Sequence, residues 1–527
     1  NGFKFSPSKT VCVHFCQKRG LHPDPVLFLY GQPIPVVDKV KFLGLYFDKK
    51  LNFKFHIDYL RCKCLKTINL LRVVSKRDWG ADKETLLRLY RSLVRSKLDY
   101  GSFIYASARP SYLKKLNVVQ NQALRVCLGA FRTSPIPSLH VEAGELPMNM
   151  RCKKLALQFA LRICSNPENP AFDALFDFQC EHFYTSRPNA IRSPALRIRD
   201  DFNRICLNTE NVAKYSVITV PPWKLLRPNI DITLTEHEKS KTDPLEYRIS
   251  FNNLREKYGN YLCAFTDGSK SDDGVTAAAY SSKFFLQIRL PDEASIFTAE
   301  LYAIRYALDF IASIDQFDFI VFSDSLSSIQ ALDSSDFSNP LVVNILEKCH
   351  AILEKGQKVV LAWCPGHVGI PGNEKADRLA REAIRLPVTQ VAVPQSDFKT
   401  AINKLITSRW QRLWDEYPEN KLHQIQPKVN KNHKFSSKNR REEIIFSRLR
   451  IGHSYLTHRY LLANDPIPLC IPCDEILTIK HILIDCIDFQ SMRSRFYSYD
   501  SLKKLFEEAD PKLIFKFLKE IGFYYRM

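Results

Sequence analysis

Between Tyr261 and Leu386 short apolar runs repeatedly end in an acidic residue, and this pattern restricts the fold more than any other feature of the chain. The run YLCAFTDGSK reads as a buried strand entering a tight turn, with Asp267 at the strand end and Gly268 permitting a sharp reversal. GVTAAAYSS and FFLQIRLP follow as neighbouring hairpin strands. SIFTAELYAIRYALDFIASI has helical spacing, with Ile304, Ala307, Leu308 and Ile311 on one apolar face. Glu300 lies four residues before Ile304, on that same face, where a carboxylate is costly unless it is paired or bound to a cation. FDFIVFSDS alternates as a strand and puts Asp324 at its end, repeating the placement of Asp267. QKVVLAWCPGH is a further strand, and GNEKADRLAREAIRL is a helix whose acidic first turn contains Asp377.

Taken singly, each acid has an ordinary reading. Asp at a strand end bonds nearby backbone amides, an acid early in a helix complements the dipole, and Glu300 fits a surface position if the helix is phased differently. Taken together, four convergent acids repel one another, and their ionisation is favoured only when divalent cations occupy the space between them. Hard oxygen ligands select magnesium or manganese. Two such ions about 3.5 to 4 Å apart lower the pKa of an attacking water and stabilise a leaving 3′ oxygen, which is phosphodiester hydrolysis without a protein nucleophile.

The strings FTDGSK, FTAEL, FSDSLSS and WCPGHVGIPGNEKAD, in that order over about 125 residues, resemble type 1 ribonucleases H. The resemblance implies an α/β ribonuclease H fold over 259–388, with a mixed five-stranded sheet and helices. It also implies Asp267, Glu300, Asp324 and Asp377 as ligands of two Mg2+ or Mn2+ ions, His367 as a mobile histidine near the scissile phosphate, and cleavage of the RNA strand of RNA/DNA hybrids. The competing expectation is a catalytically silent nucleic-acid-binding remnant that keeps the acids for folding.

Charge is divided unevenly over the 527 residues. Residues 1–150 carry 25 basic and 10 acidic groups, 151–258 carry 17 and 13, 259–388 carry 11 and 17, and 389–527 carry 23 and 16. One acidic block inside a basic chain fits a carboxylate-rich module between segments that bind a polyanion. No stretch approaches the roughly 18 to 20 apolar residues of a membrane span. The fifteen cysteines are scattered and read as reduced thiols in an intracellular protein, and the start at Asn1, without a signal-peptide pattern, reads as truncated.

The flanks divide by pattern. Residues 1–55 hold short strand-like runs with Pro and Gly punctuation, 56–164 are basic amphipathic helices, and 165–258 are a proline-bearing linker. Residues 389–441 are a helical and polar linker, and 442–527 a small Cys/His module with a terminal helix. GFKFSPSKT, VKFLGLYFD, LLRLYRSLVRSKLDYGSFIYASA and LKKLNVVQNQALRVCLGAFRTSP resemble the end of the palm and the thumb of reverse transcriptases from non-LTR (LINE-type) retrotransposons, which implies the carboxy-terminal part of such a polyprotein and a grip on template-primer nucleic acid. The Tyr-x-Asp-Asp hairpin of those polymerases is not in the sequence; Asp200-Asp201 and Asp272-Asp273 stand in unrelated surroundings, so DNA synthesis is not expected. Cys470, Cys473, His481 and Cys486 offer three soft sulfurs and an imidazole, a set suited to tetrahedral Zn2+, with spacing similar to the zinc-binding tail of many such reverse transcriptases.

Overall fold

The structure is a computed structural model that describes residues 4–527 apart from 17–22, 177–181, 183–185, 187–193, 205–208, 216–219, 237–241, 315–317, 430–434, 436 and 438. The chain forms two compact units, one made of Asn1–Ala156 with Lys404–Met527, the other of Leu157–Asn403.

In the first unit an antiparallel pair, β1 (Lys39–Phe42) and β2 (Leu45–Asp48), leads into α1 (Lys54–Val74), α2 (Lys83–Tyr90), α3 (Pro110–Leu128) and α4 (Ile136–Ala143). The apolar stripes of these helices bury Ile57, Cys64, Ile68, Leu86, Tyr90, Leu116 and Leu124 in one core. Helix α3 begins with proline at its first position and ends at Gly129, whose φ of +61° is a left-handed cap. The helix Arg440–Ile451 belongs to the same unit. Arg440 donates to the Cys127 carbonyl at 2.6 Å, and the buried Glu142 accepts from Lys83 Nζ at 2.8 Å and Arg450 Nε at 3.0 Å. Burial pushes the Glu142 carboxyl up, but Lys83 and Arg450 outweigh it and hold the group at about 2. The C-terminal core of this unit gathers Ile482, Leu483, Leu505, Phe506, Phe515 and Phe517.

The second unit is built on a mixed sheet of six strands: β3 (Asn229–Asp231), β4 (Leu262–Ser271), β5 (Gly274–Ser281), β6 (Phe285–Leu290), β7 (Phe319–Ser323) and β8 (Val359–Trp363). Their order is β3-β8-β7-β4-β5-β6, parallel from β3 to β4 and antiparallel through the β4-β5-β6 meander. Every residue of β7 and β8 is buried, as expected of central parallel strands covered on both faces. Helix α5 (Pro244–Lys257) precedes β4, α6 (Ile296–Ala312) links β6 to β7, α7 (Leu326–Asp333) and α8 (Pro340–Glu354) link β7 to β8, and α9 (Pro371–Glu382) follows. No described helix is long and apolar enough to cross a membrane.

The sheet therefore has six strands rather than the five expected. The additional strand, β3, comes from the stretch read as a linker. Its brief alternation of Ile230, Ile232 and Leu234 with polar residues lies in a proline-bearing stretch, and the strand holds its edge position through backbone pairing with Val360–Ala362 and the buried Asp231 carboxylate. Asp231 accepts from Thr233, from Lys257 Nζ at 2.9 Å and from the Tyr258 hydroxyl at 2.9 Å. The same stretch contributes α5, whose Phe251 packs against Phe322 and Phe265 with ring centroids 5.0 and 6.2 Å away.

Candidate active site and metal centre

Sheet register brings the first two acids together. Thr266 on β4 lies opposite Ser323 on β7, so the next residues along these parallel strands, Asp267 and Asp324, stand side by side. Asp324 follows the end of β7, but Asp267 is not at a strand end as expected: β4 continues through Asp267 and Gly268 to Ser271, paired with β5, and the reversal falls at Asp272 and Asp273. Glycine at 268 lets β4 press against the first turns of α6, because a Cβ there would stand 2.7 Å from the Glu300 amide nitrogen. That close approach delivers Glu300. Ser295 caps α6 by accepting from the Thr298 amide at 3.1 Å, which fixes the helix start. Behind Asp324, the loop after β8 approaches so closely that a Cβ on Gly366 would lie 2.4 Å from Asp324 Oδ2. Trp363 Nε1 donates to the Asp324 carbonyl at 3.0 Å.

One carboxylate oxygen from each of Asp267, Glu300 and Asp324 lies within 4.8 Å of the others. Asp267 and Glu300 are only 6% and 5% exposed, and Glu300 Oε2 is buried without a hydrogen-bond partner. Burial, then the charges of Asp324 and Asp377, push the Asp267 carboxyl up to about 8, with Arg381 opposing. Burial and the charges of Asp267 and Asp324 push Glu300 well above the usual carboxylate range. Three acids that cannot all ionise by themselves, one with a buried oxygen awaiting a partner, match what a hard divalent cation needs.

Asp377 and His367 stand beside this group rather than in it. Asp377 Oδ2 takes an ion pair from Arg381 Nη2 at 2.8 Å and lies 3.8 Å from His367 Nδ1. His367 occupies an exposed loop with a φ of +60°, a left-handed backbone uncommon outside glycine.

A second group of potential metal ligands joins Cys470, Cys473, His481 and Cys486, again with ligand atoms within 4.8 Å of one another. The Cys486 sulfur lies 3.8 Å from that of Cys470 and 3.7 Å from that of Cys473. The turn between the first two cysteines closes through amide bonds from Cys473 and Asp474 to the Cys470 carbonyl, with Asp474 at a φ of +54°. His481 gives its Nδ1 side to Glu475 at 2.9 Å, while Nε2 is buried without a partner. With Nδ1 turned to Glu475, Nε2 is the ring nitrogen left to face the three sulfurs, so the donor set fits zinc.

Sequence reasoning missed Glu475 and Arg381. Arg381 carried the signal of an i,i+4 pair with Asp377. Glu475 gave none, because its tie to the site runs through a two-residue strand pairing with Cys470.

The sheet order with carboxylates at its centre defines a mixed α/β domain, and residues 259–385 match the RNase H family. This segment is an RNase H domain, and the chain's homologues are Pol polyproteins of R1-type and related non-LTR retrotransposons, at low identity. The chain is 30% identical over 154 residues to a "Retrovirus-related Pol polyprotein from type-1 retrotransposable element R1" of Bradysia coprophila, covering 29% of this chain and 15% of that protein. It is 25% identical over 159 residues to a protein so described in Nasonia vitripennis, covering 29% and 47%. A "Probable RNA-directed DNA polymerase from transposon X-element" of Drosophila melanogaster is 27% identical over 134 residues, covering 24% and 14%. The chain thus matches from about a seventh to about half of the length of these relatives.

Proposed function

We propose that the RNase H domain is a divalent-cation-dependent endonuclease that hydrolyses the RNA strand of RNA/DNA hybrids, within the carboxy-terminal part of a retrotransposon reverse-transcriptase polyprotein. The observation that carries this reading is the three-carboxylate cluster with the buried, unpartnered Glu300 oxygen. Asp267, Glu300, Asp324 and Asp377 would hold two Mg2+ or Mn2+ ions, which when bound activate a water and stabilise the departing 3′ oxygen. The chain's own part is to aim these acids from two adjacent central strands and two helices, and to hold Glu300 and Asp324 close by the tight approaches at Gly268 and Gly366. His367, exposed in its loop, serves proton transfer or product release. The basic flanks grip hybrid and template-primer phosphates, and the cysteine-histidine group holds one Zn2+.

The silent alternative draws on one observation, the ion pair that ties Asp377 to Arg381. Arg381 is 63% exposed, and pairs of that kind are worth about 0 to 1 kcal/mol, too little to keep a divalent cation from the site. An end-labelled RNA/DNA hybrid, assayed beside single-stranded and double-stranded RNA, tests the proposal. Cleavage confined to the hybrid, leaving 5′-phosphate and 3′-hydroxyl ends, is expected; no cleavage, or equal cleavage of all three, contradicts it.

A further inference from the structure

Asp377 is the acid whose surroundings differ from the rest. Its side chain is 18% exposed and outside the 4.8 Å carboxylate group, and two solvent-facing bases, Arg381 and His367, reach toward the same oxygen. Arg381 follows Asp377 by four residues on α9, so the helix holds the guanidinium over the edge of the acidic site, where its charge is felt as far as Asp267. With 63% of its side chain in solvent, Arg381 can swing away at small cost. Guanidinium binds phosphate in a bidentate fork, and charge-assisted bonds of that type exceed an exposed helical ion pair in strength.

We propose that Arg381 is a displaceable counter-cation: it neutralises Asp377 in the free protein and transfers to a backbone phosphate of the bound hybrid, so that Asp377 holds a divalent ion a few-fold more tightly once substrate is in place. The inference rests on the reading of the four acids as cation ligands. It makes Arg381 a positioning residue that couples substrate binding to metal loading. A plain helix-stabilising role would instead affect only thermal stability, as i,i+4 pairs on isolated helices do.

The test is Mn2+ binding to the full chain, followed by the electron paramagnetic resonance of free Mn2+, for wild type, Arg381→Gln, Arg381→Lys and Asp324→Asn. Each is titrated with and without a hybrid whose RNA strand is 2′-O-methylated and resists cleavage. Without hybrid, Arg381→Gln should bind Mn2+ at its weaker site about fivefold more tightly than wild type, while Arg381→Lys, which keeps the charge, stays near wild type. With hybrid the difference should vanish. In steady-state cleavage, Arg381→Gln should raise KM for the hybrid about fivefold and change kcat less. Equal Mn2+ affinities for wild type and Arg381→Gln without hybrid, or an unchanged KM, overturn the inference. Loss of Mn2+ binding in Asp324→Asn keeps the cation-site reading standing in that case. Retained binding in Asp324→Asn defeats that reading and this inference with it.

Discussion

Glu475 Oε2 lies 2.9 Å from Nδ1 of the buried His481, and that bond leaves Nε2 as the nitrogen free to meet a metal beside three cysteine sulfurs. Removing such an orienting carboxylate generally lowers metal affinity about 10- to 100-fold. Glu475→Ala should therefore weaken zinc binding by that factor, and Glu475→Gln, whose amide oxygen still accepts, should recover part of it. Cys486→Ser should abolish binding. Competition of the full chain against a chromophoric chelator measures all three, and equal affinity for wild type and Glu475→Ala would show that His481 needs no such support.

The raised carboxyls of the RNase H domain predict how its stability depends on pH. Folded Asp267 keeps its proton up to about pH 8, whereas an unfolded aspartate titrates near 4. The folded state binds the proton more tightly across that interval, so stability present at about pH 4 is lost as pH rises toward 8. Glu300 shifts in the same direction and adds to the trend. Without metal, the melting temperature of the second unit should fall between pH 5 and 8, and Mg2+ should restore most of it at pH 8. Asp267→Asn should flatten the slope. A melting temperature that rises with pH in EDTA would contradict the assignment.

Helix α5 is integral to the second unit, because Phe251 is 6% exposed and packs at a tilt against the rings of Phe265 and Phe322. Phe251→Ala should cost about 3 to 5 kcal/mol, read by urea unfolding. A fragment of residues 226–403 should melt higher than one of 259–388, which lacks both β3 and α5. Equal melting temperatures would mean that the upstream segment merely lies against the domain.

Legibility in the sequence followed local signal. The strands carrying Asp267 and Asp324, and the helix carrying Glu300, were readable from apolar runs of the right period, and the structure brings these three acids together; the strand of Asp267, however, runs on to Ser271, because residues 267–271 keep pairing with β5. Asp377 was readable as a helix acid but not, as expected, one of the first turn: the helix starts at Pro371, Glu374 is the acid of that turn and Asp377 is the seventh residue, and its pairing with Arg381, though spaced i,i+4, depends on side-chain placement. The edge strand β3 escaped notice although Ile230, Ile232 and Leu234 alternate with polar residues, because the alternation is brief, sits in a proline-bearing stretch and passes at once into a turn at Thr233–Glu236. The union of Lys83, Glu142 and Arg450 in one buried network joins residues more than 300 positions apart, a long-range contact invisible to any local pattern. The four zinc-type ligands were visible from spacing, while Glu475 entered only through a two-residue strand pair.

The central claim is that Asp267, Glu300 and Asp324 form a cation-dependent nuclease centre, and cleavage of a labelled RNA/DNA hybrid across a Mg2+ titration tests it most directly. Wild type should show activity that rises with Mg2+ and disappears in EDTA, and Asp267→Asn and Asp324→Asn, folded as judged by circular dichroism, should each lose at least about a thousandfold in kcat, as expected when metal-held transition-state charge is left unsupported. Wild-type turnover that persists in EDTA, or in both folded variants, would contradict the account.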